Sequence, residues 1–460
     1  MHPLYKEVNF LDARCREKYG IDEIIMMEHA AIALKAGIES CTPSGSRVLF
    51  VCGPGNNGAD GIACARLMQE NFKVMILLPF GAKSKLAKSQ LGHAKALDIK
   101  IVQEIESADA VVDALFGSGA KPLDEDICKL IEKLNALKAN KIACDIPTGL
   151  GLGDIVFKAD ITITMGALKE VLFIESAKSF IGKLEVANLG VSREAYETPG
   201  PTMVLEKKDM ILPHRKISKV HKGNFGHVLV LGGEMHGAGV LAAEAAFAFG
   251  AGLVSVWSDE RLPYHIMRAN KTPSNTTAIV AGMGMGSIWD EEHLKEILTS
   301  GDEALVLDAD ILKMDLINTL LKLKKPLILT PHPKEFSALL EKSGFGKHSV
   351  SQIQANRISF ARDFSEKTNA VLVLKGTHTL IAENSKVYLS PFGSPSLAKG
   401  GSGDVLAGLI GSLLAQGHEA KEAAVSAVLA HALASDEFRG NTYALTPQTL
   451  IQGIQCLKNV

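Results

Sequence analysis

The chain has 460 residues, 47% of them hydrophobic, with 49 basic and 51 acidic side chains. That length implies roughly two or three domains with ordinary cores. Charge this balanced, and scattered without long blocks of one sign, removes the electrostatic case for nucleic acid or an anionic membrane and suits a small-molecule protein. The first 20 residues carry charges where a secretory leader needs an apolar run. The apolar run at 405–415 is about half the length that spans a bilayer. Seven cysteines without a C-x-x-C pair read as reduced thiols, with Cys52, Cys64 and Cys144 on or beside apolar stretches. The expected location is the cytoplasm.

In chain order, the strand-like runs "RVLFVC", "KVMILLP", "DAVVDALF" and "KIACDIP" alternate with the helix-like "IACARLMQE", "SQLGHAKALD" and "DICKLIEKLNAL". Such alternation predicts parallel strands, because a parallel pair needs a long crossover. "DITITMG" and "GKLEVANLG" extend the sheet. Near residue 200 the pattern breaks at "SREAYETPGPTMVLEKKDMILPHRK", a Pro- and Gly-marked, charged, non-periodic stretch that predicts a domain boundary. The expected domains are 1–200 and 205–460. In the second, "HVLVLGG", "GLVSVWS", "AIVAGMGMG", "ALVLDAD", "PLILTPHP" and "AVLVLKG" restart the alternation, followed by a hairpin at "HTLIAENSKVYLSP" and long apolar helices from Gly403. The halves do not match as a repeat, so the fold class is two different α/β domains.

The first half carries its chemistry at strand ends. "GPGNNGADG" (53–61) hands a strand to a helix, a place where backbone N–H groups and the helix dipole favour an anion. Gly55 and Gly58 allow close approach, and Asn56, Asn57 and Asp60 present amide and carboxylate groups at the edge where open α/β sheets bind ligands. Asn-Gly alone would signal only a turn. Asp113 in "VVDALFGSG" and Asp145 in "ACDIPTG" end two further strands, and parallel pairing would bring all three ends together. The oxygens of Asn57, Asp113 and Thr148 form a hard donor set, suited to a hard cation and not to zinc.

These three motifs, in this order and spacing, resemble the epimerase domain of the NAD(P)H-hydrate repair enzymes, a Rossmann-like three-layer α/β/α fold. The resemblance implies that Asn56, Asn57, Gly58, Ala59 and Asp60, the loop Gly117, Ser118, Gly119, Ala120, Lys121, Pro122 and Leu123, and Asp145 hold the hydrated cofactor. It also implies a potassium ion on Asn57, Asp113 and Thr148. Asp145 or Asp60 is the expected acid or base. Glu28 fits the family pattern, whereas Ala59, His29 and Ala31 stand where glycine, asparagine and glycine are usual.

In the second half, "HKGNFGHVLVLGG", "GMGMG" (282–286) and "LKGTHT" (374–379) are glycine-rich or hydroxyl-rich strand ends, and "LTPHPKEF" frames His332 between two prolines that fix the backbone on both sides. In "AKGGSGDVLAGLIGSLLAQ", Gly400 to Gly403 and Asp404 open a long apolar helix. Three glycines in four positions exceed what a helix cap needs. Loop N–H groups there can stabilise a transferring phosphoryl group, while a first-turn carboxylate takes a proton from the attacking hydroxyl. This half resembles the ribokinase-like superfamily and, within it, the ADP-dependent NAD(P)H-hydrate dehydratases. That resemblance implies Ala238, Gly284, His332 and Asp404 at the hydrated cofactor, and Lys375, Gly376, Thr377, His378, Thr379 and Gly403 at ADP or ATP, with magnesium on the phosphates. "GMGMG", "AKGGSGD" and Ser394 depart modestly from its pattern. The expected partners are hydrated NADH or NADPH and an adenine nucleotide, in a homo-oligomer. Two other readings stay open on the residues: a small-molecule kinase, and a first domain that binds without catalysing.

Overall fold

A computed structural model of the chain describes residues 1–119, 122–216 and 218–458. Its contacts separate into two units, Pro3–Gly200 and Pro201–Val460, the latter taking in Met1–His2. Among the described residues, no helix is long and apolar enough to cross a membrane. All seven cysteines are free, and Cys52, Cys64 and Cys144 are buried.

The first unit opens with β1 (His2–Tyr5), α1 (Asn9–Tyr19) and α2 (Glu23–Cys41). Strands and helices then alternate: β2 (Arg47–Cys52), α3 (Asn56–Met68), β3 (Lys73–Leu77), α4 (Lys85–Ala96), β4 (Lys100–Val102), β5 (Ala110–Ala114), α5 (Glu125–Ala136), β6 (Asn140–Cys144) and β7 (Ile161–Met165). β8 (Leu168–Lys169), β9 (Lys183–Ala187) and α6 (Arg193–Tyr196) complete it. The sheet order is β4-β3-β2-β5-β6-β7-β9, every pair parallel. Along β2, Val48, Phe50 and Cys52 enter one core while Leu49 and Val51 enter another on the opposite face. A strand buried on both faces reads as a continuous apolar run, as "VLFVC" does. The chain order reverses between β2 and β5, the crevice where doubly wound sheets bind ligands.

The second unit contains β10 (Thr202–Val204), β11 (His227–Leu231), α7 (His236–Ala248), β12 (Leu253–Trp257), β13 (Met267–Ala269), β14 (Ala278–Ala281), α8 (Glu291–Thr299), β15 (Ala304–Leu307), α9 (Ile317–Leu320) and β16 (Leu327–Leu329). It continues with α10 (Pro333–Lys342), α11 (Val350–Ala355), α12 (Arg357–Lys367), β17 (Val371–Leu374), β18 (Leu380–Glu383), β19 (Lys386–Leu389), α13 (Ser402–Ala415), α14 (Ala420–Asp436) and α15 (Pro447–Gln455). Strands run β13-β12-β11-β14-β15-β16-β17 in parallel, then β18 and β19 antiparallel. The hairpin turn places Asn384 at φ 48° and Ser385 at φ 63°, the two positive values that a tight two-residue turn requires. α13 lies hard against α7: a Cβ on Gly408 would stand 2.1 Å from the Ala242 carbonyl oxygen.

The stretch read as a non-periodic boundary is more ordered than its composition suggests. Arg193–Tyr196 is a turn of helix capped by Ser192, and Thr202–Val204 pairs in parallel with β19. Three residues are too few to show a period of two, so the sequence pattern carries no trace of β10.

Candidate functional site

The ends of β2, β5 and β6 surround a cavity of about 380 Å³ within the first unit. Asn56, Asn57 and Asp60 line it from α3, Gly117, Ser118 and Gly119 from the loop after β5, and Asp145 from the end of β6. Gly58 and Ala59 do not. The expectation that all five residues of 56–60 face the ligand fails on helical geometry: α3 starts at Asn56, so 56, 57 and 60 share a face while 58 and 59 turn inward. Ala59 is fully buried and its N–H donates to the Gly55 carbonyl, so its extra methyl lies in the core and not beside a ligand. Gly58 is needed for packing, since a Cβ there would stand 1.9 Å from the Gly53 carbonyl oxygen. Pro122 and Leu123 lie outside the cavity, Leu123 resting on the core beneath the sheet. Ala120 and Lys121 lie outside the described residues.

Asp113 is buried, and its carboxylate accepts from the Thr148 N–H (2.7 Å), the Thr148 hydroxyl (2.7 Å) and the Leu115 N–H (3.2 Å). Burial pushes its pKa up to about 6 against these hydrogen bonds. Asn57 Nδ2 is buried without a hydrogen-bond partner. A buried carboxylate, a hydroxyl and an orphaned amide are a donor set that a hard monovalent cation would satisfy.

Asp145 has φ 72°, a left-handed conformation that few residues other than glycine and asparagine adopt without strain. Three donors fasten its Oδ1: Lys169 Nζ at 2.7 Å, the Met165 N–H at 3.0 Å and the Thr164 hydroxyl at 3.2 Å. Oδ2 points toward the Gly117 Cα, where a side chain would stand 2.8 Å away. Lys169 is 1% exposed, and its ammonium also donates to Thr164 Oγ1 and the Met165 and Ala167 carbonyls. Desolvation raises the Asp60 carboxyl well above its ordinary range, with the charges of Asp145 and then Asp12 adding to the effect. Lys169, Asp12, Asn9 and Tyr196 all line the cavity, and no motif reading singles them out. Lys169 is a lone lysine after a strand, and only its burial against Asp145 marks it.

The family-pattern residues of α2 also resolve locally. Glu28 receives both a bidentate Arg66 contact and Gln90 Nε2, tying α2 to α3 and α4. His29 lies over Gly190, which has φ 87° and where a Cβ would meet the imidazole at 2.7 Å.

In the second unit the ends of β14, β15, β16 and β17 meet the start of α13. Lys375 Nζ donates to Asp308 Oδ1 at 2.8 Å and stands 3.8 Å from Glu335 Oε2. A Cβ on Gly403 would lie 3.5 Å from that ammonium and 3.8 Å from Asp308 Oδ2, so the glycine loop faces this cluster. Asp404 follows in the first turn of α13, half-buried, its pKa pushed up to about 6 by desolvation and then by the Asp308 charge, with Lys375 opposing. The N-cap of its helix is Gly401, in the left-handed region at φ 92°. His431 from α14 braces the loop, its Nε2 3.0 Å from the Ser402 carbonyl oxygen and 3.1 Å from Ser402 Oγ.

His332 sits differently from its expected place at a strand end. It is the N-cap of α10: Nδ1 accepts from the Lys334 and Glu335 N–H groups, while the His332 N–H donates to Glu335 Oε2. The ring is exposed, and through Glu335 it joins the Lys375 cluster. Gly284, φ 55°, packs beside Met235 and Ala238, the latter 3.3 Å from its notional Cβ. Of the nucleotide segment, Gly376 is exposed and Lys375, Thr377 and Thr379 are half-buried, but His378 is buried, which leaves its imidazole away from the surface. Asp308 and Glu335 were legible as letters of "LDAD" and "TPHPKE" and gain their meaning only from this convergence.

Comparison with known proteins follows the same division. A family model described as NAD(P)H-hydrate dehydratase matches residues 228–456, and one described as YjeF-related protein N-terminus matches residues 23–171. The bifunctional NAD(P)H-hydrate repair enzyme of Helicobacter pylori is 40% identical over 476 residues, covering 99% of this chain and 100% of its own. The enzymes of that name from Coxiella burnetii and Escherichia coli are 35% and 31% identical, covering 91% and 86% of this chain and 91% and 82% of theirs. The Bacillus subtilis ADP/ATP-dependent NAD(P)H-hydrate dehydratase, co-crystallised with ATP and magnesium, aligns with 54% of this chain and 93% of its own at 25% identity and a TM-score of 0.47. With identity of this level running along essentially the whole of both chains, this chain belongs to the bifunctional NAD(P)H-hydrate repair enzymes.

Proposed function

We propose that the chain repairs hydrated NADH and NADPH. The first unit interconverts the R and S epimers, and the second dehydrates the S epimer with ADP or ATP, releasing AMP or ADP and phosphate. The observation that carries the reading is Asp404 in the first turn of α13, beside the Asp308–Lys375 pair and directly after the glycine-rich loop 400–403. Hydroxide is a poor leaving group, and the hydrated ring carries a hydroxyl on the carbon next to its nitrogen. Asp404 takes that hydroxyl's proton, and loop 400–403 stabilises the phosphoryl group moving onto the oxygen. Phosphate then leaves as the ring nitrogen's lone pair pushes, and the neighbouring ring carbon loses a proton so that its C–H electron pair forms the C=C bond and returns the other pair to nitrogen, restoring the dihydropyridine. Lys375 neutralises charge on the nucleotide's phosphates from the end of β17. The carboxylates of Asp308 and Glu335 offer hard oxygen donors for the nucleotide's magnesium, which would supply charge neutralisation there.

In the first unit Asp145 or Asp60 acts as acid or base on the epimers, and Asn57, Asp113 and Thr148 would hold a potassium ion, which would supply positive charge at the strand ends. The test uses purified chain, mixed epimers, ADP and magnesium, with recovery of reduced-nicotinamide absorbance as the readout. Complete recovery is the expected result. Recovery that stops at the share of the S epimer removes the epimerase half, and a stable phosphorylated product without intact coenzyme removes the dehydratase half in favour of a kinase.

A further inference from the structure

The cavity of the first unit holds a third carboxyl that no motif contains. Asp12, on α1, lines both the main cavity and an adjoining pocket of about 270 Å³ formed with Arg16, Glu23 and Met26. Its Oδ1 accepts from the Tyr196 hydroxyl at 2.7 Å. The tyrosine is 2% exposed and is itself seated by Gly166, φ 72°, where any side chain would stand 2.5 Å from the ring. Arg14 Nη1 donates to the Ala195 and Tyr196 carbonyls, clamping α1 to α6. Glycine, tyrosine and arginine thus fix one oxygen of Asp12 while the residue keeps a face on the cavity.

We propose that Asp12 is a catalytic residue of epimer exchange, the acid–base partner of Asp145 working from a different wall of the cavity. The inference rests on the epimerase reading above and assigns that reaction its second proton-transfer group. Inverting the hydroxylated carbon requires that its bond to oxygen break and re-form. Asp12, protonated, gives its proton to the ring hydroxyl; the C–O bond breaks, water departs, and the nitrogen lone pair forms a C=N bond. A water then adds to the other face of that planar cation, the new C–O bond forming as the electron pair returns to nitrogen, and its proton passes to the Asp145 carboxylate. The opposite inversion begins with the proton on Asp145. Two groups on separate walls serve two faces of a planar ring, and their carboxylates favour the cationic intermediate.

The surroundings agree with these roles. Burial raises the Asp12 carboxyl, with the Tyr196 hydrogen bond and Lys169 opposing and the charges of Asp145 and Glu23 adding. Asp145, by contrast, has an ammonium on its Oδ1 at 2.7 Å. A carboxyl raised by burial suits the acid of such a pair.

The experiment follows exchange of a single epimer of hydrated NADH by chromatography on the full chain, with nucleotide omitted so that dehydration is idle. Wild-type exchange is expected; if wild type gives none, the epimerase reading itself fails. Asp12→Asn, which keeps the size and the acceptor for Tyr196, should lower kcat about 100-fold with KM within a few-fold. Formate should restore part of the exchange to Asp12→Gly and none to Asp145→Asn. An Asp12→Asn chain that exchanges within threefold of wild type overturns the proposal. If that variant does not fold, Asp12→Glu must exceed Asp12→Gln in exchange rate, and equal rates overturn it as well.

Discussion

At the residue scale, Asp404 and Lys169 make opposite demands on burial. In the proposed dehydration Asp404 must be ionised to accept a proton, and burial pushes its pKa up to about 6. Dehydration should therefore fall about tenfold per pH unit below that value and be level above it, since only the anion is a base. A kcat/KM profile on the S epimer with ADP and magnesium reads this limb, and Asp404→Asn should remove at least 100-fold of kcat at neutral pH along with the limb. Lys169 is buried for a different purpose. With 1% and 8% side-chain exposure, the Lys169–Asp145 pair is almost wholly buried. Replacing one member strands the other's charge, which costs about 3–5 kcal/mol. Lys169→Met should show that loss in urea unfolding of the first unit, whereas Lys129→Met, in an exposed pair with Glu125, should cost under about 1 kcal/mol. The sequence displayed Asp404 openly, because three glycines ahead of an acid are an uncommon spelling. It displayed Lys169 and Asp12 hardly at all, because each is an ordinary charged letter until tertiary packing puts it in a cavity with Asp145.

Elements were legible where they are long or where glycine marks them. The parallel strands β2, β3, β5, β6 and β7 and their helices stand close to the runs "RVLFVC", "KVMILLP", "DAVVDALF", "KIACDIP" and "DITITMG". Each is buried on both faces, and a continuous apolar run is visible without any partner. β1, β8 and β10 were not legible, since each has only two to four residues and stands outside the strand–helix alternation that reveals equally short strands such as β16. The same scale explains the two kinds of glycine in "GPGNNGADG". Gly55 has no atom within 4 Å of a notional Cβ, whereas Gly58 would bring one to 1.9 Å from the Gly53 carbonyl oxygen and 2.7 Å from its carbon. Gly58→Ala must push α3 away from the β2 turn, at about 1–3 kcal/mol or more, and shift Asn56, Asn57 and Asp60 together. Gly55→Ala should leave the urea midpoint of the first unit within about 0.5 kcal/mol of wild type. Epimer exchange measured on both variants should fall sharply only for Gly58→Ala.

On the scale of the whole molecule, the two units divide one repair task between them. Among the described residues, the apolar clusters of the first unit include residues from Tyr5 to Tyr196, and that of the second includes residues from Leu205 to Leu457. The chemistry nevertheless couples them through the substrate, because the dehydratase consumes one epimer and leaves the other. Gly58→Ala, damaged only in the first unit, should dehydrate the pure S epimer at the wild-type rate. Given mixed epimers with ADP and magnesium, it should recover reduced coenzyme quickly up to the S share and then continue only as fast as the epimers exchange unaided. Adding the Asp404→Asn chain, which keeps an intact first unit, should restore complete recovery although that chain alone yields almost none. If the mixture of the two variants stalls where Gly58→Ala stalls, the first unit does not supply epimers to the second, and the division of labour between the units is wrong.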